Sequence, residues 1–191
     1  MRKAFAFLSV LALGAALGVP VFAAETYKFE PKHSSVTIYY PHFGLSRPSM
    51  KVVGATGTLV LDTDAPANST VEVSLDMNAL TSGLPDFDTD LKGSEYFDTA
   101  QFPTATFKST KVETTGESTA NVTGDLTVHG VTKSVTLSVT YNKKAFNPAL
   151  FKTGYGFSAT ATLSRKDFGL SKLEPFVGDE INLDIEAEAY P

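Results

Sequence analysis

The sequence predicts an all-β protein, namely an eight-stranded antiparallel up-and-down barrel, with one short helix inserted near residues 85–93. Hydrophobic residues recur at every second position in eight segments from residue 34 onward, which is the period of a strand with one buried face. Clusters of glycine, proline and aspartate separate several of these segments, as is typical of turns between antiparallel strands. The same pattern fits a two-sheet sandwich, but the even strand lengths and mostly short sequential links favour the barrel.

The predicted strands follow one another along the chain, and each presents a set of mostly apolar residues on one face. In order, the sets are Val36, Ile38 and Tyr40; Val53, Ala55, Gly57, Leu59 and Leu61; Val71, Val73, Leu75 and Met77; Ala105, Phe107 and Ser109; Ala120, Val122, Gly124, Leu126 and Val128; Val135, Leu137, Val139 and Tyr141; Tyr155, Phe157, Ala159, Ala161 and Leu163; and Ile181, Leu183, Ile185, Ala187 and Ala189. Polar residues occupy most of the positions between them, so the opposite face of each strand is polar.

Residues 82–93 interrupt the alternation and predict the short helix. Pro85 suits a first helical turn, where its missing N–H leaves no hydrogen bond unmade. Asp86 and Asp88 lie early in the segment, where negative charge interacts favourably with the helix dipole, and Lys92 lies at the favourable opposite end.

The first 23 residues predict a cleaved signal peptide. Arg2 and Lys3 precede an apolar run over residues 4–19, and Pro20 is followed by small residues that suit signal peptidase. The alternative is an uncleaved membrane anchor, because the run approaches the length that spans a bilayer. We expect a single domain over residues 24–191 that is exported to the periplasm.

The composition excludes several classes of function. The chain carries 16 Lys and Arg against 21 Asp and Glu, a formal net charge of -5, so nucleic acid is not an expected partner. Cysteine is absent, which removes disulfides, thiolate metal sites and cysteine nucleophiles. The three histidines have no metal-ligand spacing, and neither a metal nor a cofactor is expected.

The inward face predicts a cavity. Of the 34 positions in the eight sets, ten are Ala, Gly or Ser. Since the side chains of an eight-stranded barrel only just fill its interior, so many small residues should leave apolar space for a slender hydrophobic molecule. The alternative is that they only fit the taper of the barrel or a close strand crossing.

The candidate ligand-binding residues follow from this interpretation. Those expected along the cavity are Tyr40, Phe107, Tyr141, Tyr155, Phe157, Ala159, Ala161 and Phe168. His42 shares the inward parity near one end of the first predicted strand, where it would lie by the opening and hydrogen-bond a polar head. The alternative for His42 is a histidine whose hydrogen bonds are satisfied by the rim of the barrel. Arg47 and Arg165 are candidates for an anionic lipid head, since a guanidinium binds phosphate in a bidentate manner. The alternative for each arginine is a salt bridge across the rim.

No motif in the chain predicts catalysis. The aspartates at 86, 88 and 90 resemble the start of a calcium loop, but Leu91 stands where such a loop needs glycine. The chain also lacks the Gly-x-Ser-x-Gly motif of serine hydrolases. We therefore expect a binding protein with no catalytic residues and no enzymatic activity.

Nine short blocks of the sequence form a recognisable series. They are His33-Ser34-Ser35-Val36, His42-Phe43-Gly44, Gly57-Thr58-Leu59, Gly93-Ser94-Glu95-Tyr96-Phe97-Asp98, Phe102-Pro103-Thr104-Ala105-Thr106-Phe107-Lys108-Ser109, Gly124-Asp125-Leu126-Thr127, Gly130-Val131-Thr132-Lys133, Arg165-Lys166-Asp167-Phe168-Gly169 and Val177-Gly178-Asp179-Glu180. Together these blocks resemble the YceI-like family of exported, lipocalin-like, polyisoprenoid-binding proteins. The order and spacing of the blocks span most of residues 24–191. The chain departs from the family pattern at Asp90, where members often have histidine, and in residues 46–50.

The resemblance implies an eight-stranded barrel whose tunnel holds a long-chain isoprenoid or a similar amphiphile. Our leading hypothesis is a periplasmic carrier or storage protein for an isoprenoid, a quinone-like lipid or a fatty chain. It allows transient contact with a membrane or a membrane protein and leaves the oligomeric state open. The alternatives are an outer-membrane barrel with the apolar face toward lipid, and an enzyme acting on a bound lipid.

Overall fold

The computed structural model describes residues 24–191, so the predicted signal peptide at residues 1–23 lies outside the described residues. Within the described range the chain forms eleven strand segments and one α-helix. The strand segments are β1 (Glu25–Phe29), β2 (Ser35–Tyr39), β3 (Ser49–Val53), β4 (Thr56–Leu61), β5 (Thr70–Asp76), β6 (Leu80–Thr81), β7 (Thr104–Thr114), β8 (Thr119–Val128), β9 (Val131–Asn147), β10 (Lys152–Ser164) and β11 (Glu180–Tyr190). The helix is α1 (Pro85–Lys92).

The eleven segments make eight barrel strands, because three of the strands are interrupted along their length. β1 and β2 form the first strand, β3 and β4 the second, and β5 and β6 the third. Each strand pairs antiparallel with the next along the chain as far as β11. β11 then pairs with the first strand, with Ile185 opposite Val36 and Ala189 opposite Phe29. The sheet is a closed eight-stranded up-and-down barrel, which confirms the predicted fold over the sandwich.

The apolar face of the strands points into the barrel and the polar face points outward. On β10 and β11 the inward residues Ala159, Leu183 and Ala189 are each less than a tenth exposed. Thr160 of β10 and Asp184 of β11 pair with each other, occupy the alternate positions along these strands, and are exposed. This arrangement is the reverse of the one that the outer-membrane alternative requires, in which the apolar face contacts lipid.

One predicted inward position is wrong. The sequence predicts Val53 inside the barrel, but Val53 is 43% exposed and its neighbour Val52 is 1% exposed. Gly54, between β3 and β4, has a φ of 80°, which glycine adopts without the steric cost of a side chain. This break shifts the alternation by one residue, so that Val52 and Ala55 are both buried.

β1 is a strand that the sequence analysis missed. Its apolar residues are Tyr27 and Phe29 alone, and two alternating positions are too few for the period to be recognised. In the structure Tyr27 is buried and pairs with Leu59 of β4. Because β1 also pairs with β11, this short segment helps to close the barrel.

The two ends of the barrel are built differently. The helix end consists of residues 40–48, residues 82–103 with α1, the turn at 129–130, and residues 165–179. The turn end consists of the loops at 62–69, 115–118 and 148–151. The cavity described below runs between these two ends.

The helix α1 forms where the sequence predicts it and packs over the helix end. Its Leu91 is 3% exposed and packs in one cluster with Val52 and Leu80. Asp88 accepts hydrogen bonds of 2.6 Å from the hydroxyls of Thr81 and Ser82, which tie the helix to the chain that precedes it. Among the helices of residues 24–191, none is long and hydrophobic enough to cross a membrane.

Candidate ligand-binding cavity

A cavity of about 810 Å³ occupies the inside of the barrel, and all eight strands contribute to its lining. Its middle is formed by aliphatic and aromatic side chains, such as Val73, Phe107, Val122, Val139 and Ile185. A cavity of about 150 Å³ holds one benzene molecule, so this one offers space for on the order of thirty carbon atoms. Its walls favour an extended apolar molecule, since apolar surface is driven out of water.

The small inward residues divide into two groups. Those that line the cavity are Ala55, Ala105, Ala120, Ala159 and Ala187. Others allow close packing instead: a Cβ at Gly57 would lie 2.0 Å from the carbonyl oxygen of Glu72, and one at Gly124 would lie 2.5 Å from the ring of Phe107. Both interpretations of the small residues therefore hold, each at different positions.

The helix end of the cavity is lined by rings and by few polar atoms. Tyr40 is 9% exposed, and within residues 24–191 its hydroxyl has no hydrogen-bond partner. Burial, together with the nearby Tyr96, raises the pKa of Tyr40 above its usual value, so its hydroxyl stays protonated. His42 also lines this end, with its ring centroid 6.4 Å from that of Tyr40 and 4.6 Å from that of Phe43. The Tyr40 hydroxyl and the His42 ring are the groups here that can hydrogen-bond a ligand atom reaching this end.

An ion pair lies at the rim of the helix end. Lys172 Nζ lies 2.8 Å from Glu95 Oε2, and both residues line the cavity. The pair joins the segment after α1 to the 165–179 segment. Its lysine is therefore already neutralised by a carboxylate of the same protein.

Arg165 lies at the helix end, but its guanidinium is occupied. Nε donates to Gly178 O at 2.9 Å and one terminal nitrogen donates to Val177 O at 2.7 Å, while the other donates to Leu170 O. In the described part of the chain no carboxylate lies within 4 Å of this guanidinium; the neighbouring Lys166 instead pairs with Glu174 and Asp179. Arg165 therefore holds the 165–178 segment together through backbone carbonyls.

The turn end of the cavity is lined by Tyr141, Tyr155 and Lys144, and Tyr27 packs against Tyr155. Tyr155 is 6% exposed, and its ring centroid lies 5.0 Å from that of Tyr27 and 6.1 Å from that of Tyr141. Lys144 Nζ lies 5.0 Å from the Tyr155 ring centroid. Loop residues of this end, among them Gly116, also line the cavity.

The sequence analysis missed Lys144 because of a bulge in β9. Tyr141 lies opposite Phe157, whereas Lys144 lies opposite Tyr155, so β9 has one more residue than β10 between these two pairs. Unbroken alternation from Tyr141 would have placed Lys143 on the inner face. A similar irregularity in β7, between Ser109 and Lys111, extends the lining to Val112 and Thr114.

Nine of the eleven candidate residues line the cavity. They are Tyr40, His42, Phe107, Tyr141, Tyr155, Phe157, Ala159, Arg165 and Phe168. Ala161 faces inward but packs with Val135, Phe168 and Leu183 in a filled part of the barrel, so it does not reach the cavity. Arg47 lies on the outer surface, where it covers the ring of Tyr39 at 4.7 Å and donates to Asn182 Oδ1 at 2.7 Å.

Comparisons with known proteins agree with the geometry. The family model described as a YceI-like domain matches residues 27–189. A UPF0312 protein of Pseudomonas savastanoi pv. phaseolicola is 36% identical over 186 residues, which cover 95% of each chain. A UPF0312 protein of Pseudomonas putida is 37% identical over 192 residues, covering 98% of this chain and 97% of the relative.

Solved structures share the fold. The structure of BcnA from Burkholderia cenocepacia superposes with a TM-score of 0.73 at 21% identity, covering 81% of this chain and 95% of BcnA. A YceI protein of Campylobacter jejuni gives 0.70 at 24% identity, covering 78% and 88%. A domain from Saccharophagus degradans described as polyisoprenoid-binding gives 0.64 at 13% identity, covering 88% and 99%.

Proposed function

The chain belongs to the YceI-like domain family, and from that premise we propose that it is a lipid-binding protein that encloses one long apolar chain in its barrel. The chain would be an isoprenoid, a quinone-like lipid or a fatty chain. The protein would act as a periplasmic carrier or storage protein. Export depends on the signal peptide predicted at residues 1–23.

The cavity is the observation that carries this proposal. Its volume of about 810 Å³ lies within the range of ligand sites in proteins, which is roughly 300–1,000 Å³. Each CH₂ group that moves from water into such a site contributes about 0.8 kcal/mol, whereas an empty apolar void gives up dispersion contacts along its walls. An extended chain of about thirty carbons would restore those contacts along the barrel.

Polyisoprenoid is the class of ligand with direct support from a structural neighbour. The Saccharophagus degradans domain with the same fold is described as polyisoprenoid-binding. The cavity itself would hold an unbranched chain as well, since its walls provide few directional contacts. We therefore place isoprenoids first and fatty chains second.

We propose binding without chemical conversion of the ligand. His42 lines the cavity, but in residues 24–191 no carboxylate lies within 4 Å of its ring nitrogens. Its ring packs against Tyr40 and Phe43 instead. A catalytic base is normally oriented by such a polar partner, so the surroundings of His42 favour a packing role.

The test is to purify the protein from its native host after osmotic shock, extract it with organic solvent and identify the extract by mass spectrometry. We expect the protein in the shock fluid and one class of long-chain amphiphile in a near-stoichiometric amount. If no amphiphile co-purifies and the delipidated protein binds no added polyprenyl alcohol, the proposal is wrong. Recovery of the protein in the cytoplasmic fraction would reject the proposed periplasmic location but not the proposed lipid binding.

A further inference from the structure

Three cationic side chains line the cavity within the described chain, and two of them are already occupied. They are Arg165, Lys172 and Lys144. Arg165 donates to three backbone carbonyls, and Lys172 pairs with Glu95 at 2.8 Å. Binding an anion at either would require an existing contact to be broken or shared.

Lys144 is different, because in residues 24–191 no carboxylate lies within 4 Å of its Nζ. The acidic residues at the turn end include Glu25, which accepts a hydrogen bond from the Tyr27 hydroxyl, and Glu117 on the neighbouring turn. Lys144 contacts the ring of Tyr155 instead, at 5.0 Å from the centroid. Its ammonium therefore keeps hydrogen-bonding capacity for a ligand.

Other polar groups at the same end would assist. Thr114, Ser118 and Thr119 line the cavity near the 115–118 turn and carry hydroxyl groups. The pKa of Lys144 lies above its usual value, chiefly through its interaction with the Tyr155 hydroxyl, so the ammonium stays charged. A charged donor at the same end of the cavity as these hydroxyls suits the oxygens of a carboxylate or phosphate.

We propose that the ligand has an anionic head, a carboxylate or a phosphate, that binds Lys144 at the turn end while its apolar chain extends toward the helix end. This inference rests on the proposed function, since it describes how the same cavity orients its lipid. At the helix end the cations Arg165 and Lys172 are already paired, and the other polar groups of the lining include the Tyr40 hydroxyl and the His42 ring. Leu91 of α1 packs at this end as well. Because neither cation there is free, the charged head is placed at the turn end and the apolar tip at the helix end.

The test compares charged and uncharged probes of equal chain length. Delipidated protein would be titrated with geranylgeranyl phosphate and geranylgeraniol, and with oleic acid and oleyl alcohol. Lys144→Met should weaken binding of the phosphate or the acid roughly tenfold or more, because a hydrogen bond to a charged group is lost. Binding of the alcohols should change less than twofold. Whichever acidic probe shows the larger loss identifies the head chemistry.

Lys143→Met is the matched control, since Lys143 and Lys144 are adjacent and both exposed, but only Lys144 lines the cavity. It should leave all four affinities unchanged. Added salt should weaken binding of the charged probes to the wild type and to Lys143→Met, but have much less effect on Lys144→Met. Circular dichroism and thermal unfolding would verify that both variants fold.

Three outcomes separate the two proposals. If the wild type binds alcohols and acids but Lys144→Met changes neither more than Lys143→Met does, the head-group inference is wrong and the binding function stands. If Lys144→Met weakens alcohols and acids equally, Lys144 acts on the chain, which also overturns the inference. If the wild type binds no probe, the proposed function itself fails.

Discussion

Replacing Ala159 with phenylalanine should shorten the longest chain that the cavity accepts. Ala159 lies near the middle of β10, lines the cavity and is 9% exposed, with Val139 and Ile185 as its neighbours on the adjacent strands. The added phenyl group would project into the space that an extended ligand occupies. Because this space is open, the barrel should accept the ring at little cost to its stability.

The size of the effect follows from the cavity volume. A phenyl group takes about the 150 Å³ that benzene occupies, which is roughly a fifth of the 810 Å³ available. It therefore displaces on the order of six carbons of a chain that fills the cavity. At about 0.8 kcal/mol per carbon, the longest ligands would lose up to about 5 kcal/mol, while chains shorter by six carbons would lose little.

The assay is a chain-length series of polyprenyl alcohols from 15 to 35 carbons, measured by competition binding. For the wild type we expect affinity to rise with length until the cavity is full; for Ala159→Phe the rise should stop about six carbons earlier. Thr160→Phe is the matched control, because Thr160 is the next residue and points outward. If Ala159→Phe and the wild type both fold and show the same dependence of affinity on chain length, the inference that the ligand lies against Ala159 is refuted.

Three further predictions concern the scaffold. Leu80→Ala should cost about 2–5 kcal/mol of unfolding free energy in urea, because Leu80 is fully buried beneath α1; Leu45→Ala, at an 86% exposed position, should cost less than about 0.5 kcal/mol. Arg165→Lys should cost about 3 kcal/mol and speed proteolysis of residues 165–178, since a lysine cannot reach the three carbonyls; unchanged proteolysis would contradict this role. Hydrogen bonds from the Ser82 and Thr81 hydroxyls hold the pKa of Asp88 below its usual 3.8. The ionised Asp88 therefore contributes to stability above pH 3.8, and this contribution is lost as the pH falls through the lower pKa of the folded state. Asp88→Asn should therefore destabilise the protein at pH 7, and the penalty should shrink in urea unfolding below pH 3.8; a penalty independent of pH would contradict the ionic role.

The predicted candidate site agrees with the structure where the alternation is unbroken. Phe157 and Ala159 share a face on the regular part of β10, and both line the cavity. Ala161 continues that face, but Phe168 and Leu183 fill the space in front of it. The sequence contains no signal for this difference, because the distance across a barrel depends on side chains from distant strands.

The polar candidates were harder to assign, because a side chain's partners depend on contacts that are distant along the chain. The phosphate role considered for Arg165 comes from its chemistry, yet carbonyls 5 to 13 residues away occupy its guanidinium. Lys144 escaped notice because one extra residue in β9 changes which side chains face inward. Such a bulge depends on the pairing of two strands and leaves no mark in the hydrophobic pattern of one strand.

The sequence by itself determined that this chain forms strands with one apolar face, that α1 interrupts them near residue 85, and that the interior contains many small residues. These properties are local, since they depend on residue type and on a period of two or 3.6 positions. Only the tertiary structure decided where the first strand begins, at Glu25. It also decided which of the small residues leave open space and which lysine lies at the end of the cavity. Those outcomes depend on how eight strands close on one another, since closure brings together side chains that no short stretch of sequence contains.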